Sequence, residues 1–261
     1  MSRTVSIGTA WTEAAAFMRH ERRLIAPLVL ALIVVPGTIS ALITPTFPIG
    51  TFPQPGGWMA VVAVCVLISL VAQLAIMRLA MGWDGSVGQA LGLAVRRIGP
   101  VMVALLLFAL LYSLAAIPFL LIGGLAGGGG ERGATLLASL VVAAALATIP
   151  RIVPLTALAM EEATGPWRLL RRSFALTRGR YWPLLGFFII YLFIGRLLGT
   201  VVTVTFGSAA ALFVGPPDPM TVSRLMIALP LGIAQGLVAG LFAAMMGRIT
   251  LQLLGRSSSG M

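Results

Sequence analysis

The side chains of this sequence that can do chemistry are mostly arginines. Of its 261 residues, 18 are basic, every one an arginine, against 7 acidic, for a formal charge of +11. Arg168, Arg171, Arg172 and Arg178 recur at helical spacing. On a helix they fall within an arc of about 120°, opposite Leu169, Leu170, Ser173, Phe174, Leu176 and Thr177. Such a face offers guanidinium groups to phosphate oxygens, each worth about 1 kcal/mol at an anionic membrane surface. Arginines beside spanning segments also fix orientation under the positive-inside rule. A lipid or phosphate platform and a topology anchor are therefore the two readings of this face.

Two further arginines fall inside apolar runs. Arg151 stands between Pro150 and Pro154, and Arg196 lies in the run that begins at Trp182. A charge within a span is costly and defaults to a functional role. No acidic residue lies in the apolar cores to pair with either. Both then reach carbonyls, water, headgroups or an anionic ligand, or snorkel with their stems in lipid. The prolines free carbonyls that Arg151 is placed to cap.

Catalysis finds little to use. His20 is the only histidine, which excludes a Ser/His dyad and a His-Glu-x-x-His zinc site. No metal or cofactor is expected. Glu161 and Glu162 read as helix-start charges rather than as an acid/base pair. Cys65 is the single cysteine and reads as packing. The run Gly127 to Gly130 lacks the Gly-Lys-Ser/Thr ending of a phosphate loop and reads as a connector.

These residues need elements to hold them, and the composition says which. Hydrophobic residues are 59% of the chain and charged ones 10%, against about 25% charged in a soluble domain. A soluble enzyme, a disordered chain and a disulfide module are excluded, leaving an all-α polytopic membrane protein. The positive charge is orientation, not nucleic-acid binding. Six runs reach the roughly 20 apolar residues that a span needs: 24–43, 58–79, 101–122, 134–160, 182–206 and 226–246. The first 23 residues are polar and carry no signal-cleavage pattern. Arginines gather before the first span, between the second and third (Arg96, Arg97), between the fourth and fifth, and in the tail (Arg248, Arg256). The remaining connections hold only Arg132 and Arg224. Both termini are then cytoplasmic, in an inner membrane.

Leu79-Ala80-Met81 recurs as Leu158-Ala159-Met160, each followed by acid, a Gly-containing turn and an arginine segment. The whole is one polytopic domain, 1–261, of three candidate units of about 80 residues: 1–80, 81–160 and 161–256. Each unit is a cytoplasmic interfacial amphipathic helix followed by a two-span hairpin. The third cytoplasmic helix is framed best. Pro166 suits its first turn, Arg178-Gly179 its end, and Tyr181-Trp182 the membrane boundary.

The same stretch, Thr156 to Trp182, resembles a signature of the membrane domain attached to some bacterial glycerophosphodiester phosphodiesterases, and of its stand-alone relatives. The matching residues are Glu161 or Glu162, Gly165, Arg172, Ser173, Leu176, Thr177, Gly179 and Trp182. In that family the phosphodiesterase activity belongs to a separate soluble barrel, whose two histidines this chain lacks. The resemblance implies a membrane domain without its enzyme, in envelope or lipid homeostasis. The expected function is a non-enzymatic membrane protein that interacts with anionic lipids or acts as a scaffold. The alternative is a transporter or channel component for a small anion, lipid or glycerophosphodiester, with Arg151 and Arg196 in a cavity.

Overall fold

Ser6 opens the first helix by accepting a hydrogen bond from the Thr9 amide, 3.3 Å, and α1 runs Ile7–His20. The computed structural model describes residues 6–45, 55–83, 85–126, 139, 144, 148, 150–152, 154–161 and 165–254. After a one-residue break at Glu21 the chain continues as α2, Arg22–Ile43. Then come α3, Gly57–Ala80, α4, Val87–Ala126, α5, Pro166–Thr177, α6, Tyr181–Phe213, and α7, Val222–Leu253. Among the described residues there is no strand. Five stretches are long and apolar enough to cross a membrane: Arg22–Ile43, Gly57–Ala80, Val87–Leu114, Tyr181–Phe213 and Val222–Leu253. On α3, Val61, Val64, Leu67 and Ile68 are exposed, a surface that suits lipid rather than water. Cys65 on the same helix is buried and free.

The chain forms two compact units, Met1–Val95 with Ile189–Met261, and Arg96–Phe188. In the first, α7 is the central element and packs on α1, α2 and α3. From Ala243 to Thr250 every residue of α7 is buried. Gly232, Gly236, Gly240 and Gly247 lie within about 80° of one another on a helix, so they form one face. A Cβ on Gly236 would lie 2.6 Å from Val34 Cγ2, and one on Gly247 would lie 2.8 Å from the Met77 carbonyl oxygen. The backbones approach this closely because those side chains are absent.

Helix α2 meets that face through a π-helical turn, Leu30–Val34. In a regular α-helix, residues five apart point about 140° apart. The wider turn, with its i→i+5 bonding, brings Val29 and Val34 onto one side. Ile25, Val29, Val34 and Thr38 are all buried. At the far end of α2, the Arg224 Nε donates to the Ala41 carbonyl at 3.0 Å. Its Nη2 donates to the Thr44 carbonyl at 3.4 Å. A cation here satisfies the carbonyls that a helix end leaves open. At the other end of the unit the Ser6 amide donates to Gln252 Oε1 at 3.1 Å, joining α1 to α7.

Four expectations need correction or completion. The second cytoplasmic helix and the third span are one continuous helix, α4, which passes through Gly99-Pro100. Ser86 and Gln89 cap its start reciprocally, at 3.1 and 3.2 Å, a capping box. Ala90, Ala94, Val101 and Ala104 are fully buried along one face. That face crosses the proline, and burying it unbroken outweighs the one backbone bond that Pro100 removes. Arg248 is not in a tail, because α7 extends to Leu253. Arg224 belongs to the first turn of α7, not to a connection. The fourth expected span falls mostly outside the described residues, as does the glycine run; residues 150–152 and 154–160 of that span are helical.

The glycine face yields a stability prediction. Gly236→Val and Gly247→Val should each lower stability by about 1–3 kcal/mol through overpacking, read by thermal unfolding in detergent. Gly92→Val on α4, where an added Cβ meets nothing within 4 Å, should stay within about 0.5 kcal/mol of the parent.

Candidate functional site

Gly165 caps α5 in extended conformation and Pro166 opens it, since a proline there lacks only an amide that the first turn leaves unbonded. The helix then sorts its residues by face. Arg168, Arg171, Arg172 and Arg178 are exposed, while Leu169, Leu170, Ser173 and Thr177 are buried. The arginine face is therefore turned outward. The opposite face is spent on protein as well as on any lipid: Ser173 donates its hydroxyl to the Arg151 carbonyl at 2.5 Å. Thr177 donates back to the Ser173 carbonyl at 3.1 Å. Trp167, at the border, is exposed.

Gly179 ends the element with φ +84°, in the left-handed region that favours glycine, and the Arg180 amide donates to the Thr177 carbonyl at 3.1 Å. Trp182 is 77% exposed, as a residue at a membrane boundary would be. The motif residues thus act mainly as punctuation and inward packing of α5. Glu161 is half-buried at the end of the preceding helix, and Glu162 lies outside the described residues.

Arg151 lies beside this helix, not apart from it. Its guanidinium carbon is 5.3 Å from the Tyr181 ring centre and 5.8 Å from that of Phe174. It lines a cavity of about 430 Å³ that Thr177, Arg178 and Tyr181 also line. The carbonyl that Pro154 was expected to leave for the guanidinium has a counterpart one residue on, where Arg151's own carbonyl takes the Ser173 hydroxyl. Arg196 lines a different cavity, of about 350 Å³, with Ser69, Tyr191 and Gln235. Each of these two cavities is lined from within a single unit. Ser69 and Gln235 carry no sequence signal beyond being polar within apolar runs.

A third arginine stands out only in the structure. Arg248 is 6% exposed inside α7, beneath α1, and its guanidinium carbon is 5.9 Å from the Phe17 ring centre. Among the described residues no group of three His, Cys, Asp or Glu side chains is arranged to hold a metal ion. The chemistry these sites offer is anion recognition through guanidinium groups and aromatic faces. No protein-family model matches the chain, and neither a curated protein nor a solved structure matches it.

Two substitutions test the frame of α5. Ser173→Ala removes the donor to the Arg151 carbonyl and should cost about 1 kcal/mol. Gly179→Ala forces a side chain into the left-handed region and should cost about 1 kcal/mol. Unfolding midpoints in detergent check both; an unchanged midpoint for Ser173→Ala would mean that the hydroxyl does not hold α5 in place.

Proposed function

We propose that this is a multi-pass protein of a bacterial inner membrane that binds anionic lipid through arginines and carries out no catalysis. The observation that carries this reading is the cavity that Arg151 and Arg178 line together. Aromatic rings flank it, and among the described residues no acidic side chain joins its lining. Two guanidinium groups with no carboxylate among the described lining residues favour a phosphate, which accepts bidentate bonds from arginine. The exposed row Arg168, Arg171 and Arg172 extends the same field along α5. Six spans, cytoplasmic termini and three helix-plus-hairpin units complete the proposal. The break between α1 and α2 and that between α5 and α6 support the repeat, while the unbroken α4 departs from it. The Gly165 to Trp182 motif supports kinship with the membrane domain of glycerophosphodiester phosphodiesterases, here without the barrel.

Arg196 favours a second reading, transport of a small anion, lipid or glycerophosphodiester. Its cavity joins Ser69, Tyr191 and Gln235 from three helices, about halfway along each.

Native mass spectrometry of the gently extracted protein tests the first reading. The parent should retain anionic phospholipid, and a variant with Arg168, Arg171, Arg172 and Arg178 all changed to Gln should lose about tenfold or more, at about 1 kcal/mol per arginine. Equal retention would reduce the cluster to a topology signal. For the second reading, Arg196→Gln should slow anion flux into liposomes, and an unaltered flux would end it.

A further inference from the structure

Arg248 poses a problem that its neighbours do not solve. It is 6% exposed, and its Nε is buried without a hydrogen-bond partner. A buried cation keeps its charge only where something compensates the lost water. The Phe17 ring at 5.9 Å supplies a weak face contact. Among the described residues no carboxylate comes within ion-pair distance of it.

Arg248 lines a cavity of about 780 Å³ beside the elbow between α1 and α2. Among the described residues the rest of the charged lining is of both signs: Arg19 and His20, with Glu13, which has a partner of its own, and Glu21, whose Oε1 lies 3.8 Å from His20 Nε2. The guanidinium groups of Arg248 and Arg19 thus share this lining with the Glu21 carboxylate. Such a lining suits a ligand that itself carries both signs. The elbow is also the point at which the span Arg22–Ile43 begins, and Leu24 just beyond it is exposed. That is headgroup level if α2 crosses the bilayer.

We propose that this cavity binds a phosphodiester bearing a primary ammonium group, as in a phosphatidylethanolamine headgroup. The phosphate lies against Arg248 and Arg19, supplying the anion that the Arg248 Nε lacks. The ammonium lies toward Glu21, to which it can donate a hydrogen bond. The site is separate from the α5 cluster, and its chemistry differs: it discriminates between phospholipids by the ammonium, where the α5 cluster responds to negative charge.

The test is lipid competition on the full-length, delipidated protein by native mass spectrometry. Phosphatidylethanolamine should be retained about tenfold more than phosphatidylglycerol, which lacks the ammonium, or phosphatidylcholine, whose ammonium has no N–H, the difference expected for one charge-assisted contact. Arg248→Gln should abolish that preference. Arg19→Gln and Glu21→Gln, both at the protein surface, should each weaken it severalfold without loss of folding. The variant with four glutamines on α5 should keep it, which separates this site from the platform above. Soluble glycerophosphoethanolamine distinguishes the sources: displacement of the lipid supports a free headgroup as ligand, and failure to displace it supports the membrane lipid. Equal retention of the three lipids by the parent overturns the proposal. So does an undiminished preference in folded Arg248→Gln or, should that variant not fold, in both surface variants.

Discussion

Four glycines on one side of α7 stand where a Cβ would collide with α2 or α3, and the first unit is built on that contact. Gly236 leaves room for Val34, Gly240 for Val29 and Gly247 for the Met77 carbonyl. Helices in lipid gain nothing from hiding apolar surface from one another, so close backbone approach and dispersion must hold them. The partner surface exists only because α2 turns once as a π-helix. Without that turn Val29 and Val34 would diverge, and one of them would leave the contact. Gly232 against Thr38 extends the contact along α2, and Arg224 then closes its far end.

Arginine is handled in distinct ways around this frame. Arg224 is consumed by carbonyls at a helix end, and its charge serves the fold. Arg151 is held over two aromatic rings at the margin of a cavity. Arg248 is buried under one ring with an unused donor. Arg168, Arg171, Arg172 and Arg178 are exposed. A guanidinium already bonded to protein has little left to offer a ligand, and that separates Arg224 from Arg248.

Hydropathy alone placed α2 and α3 to within two residues at each end, while α4, α6 and α7 run well beyond the apolar runs that announced them. The reason is that helix does not stop where apolar residues stop; α7 continues through Arg248, over which the Phe17 ring of α1 lies, and through the buried Thr250. The framing of α5 was readable because its signals are local: Pro166, Gly179 and the boundary aromatics each act on their own backbone. Gly99-Pro100 misled for the same reason, since a local break signal was overruled by a buried face that spans it. The π turn left no mark in residue type. Ser173 was legible as an inward-facing motif residue, but its bond to a carbonyl 22 positions away was not. The Arg248 cavity was unreadable because its lining comes from α1 and α7, at opposite ends of the numbering.

That separation in numbering has a consequence for biogenesis. The first unit is discontinuous, with residues 96–188 forming a body of their own between its two halves. Helix α7, on which α1, α2 and α3 all pack, emerges from the ribosome after every one of them. Until it does, Val29 and Val34 have no glycine face to meet, and Arg224 cannot reach the end of α2. Helices α2 and α3 can pack on each other before then, but the surfaces they offer to α7 stay open while the intervening body is made. Maturation of the first unit is gated by translation of α7, so a nascent chain stalled before it would present an open, apolar flank to quality-control machinery.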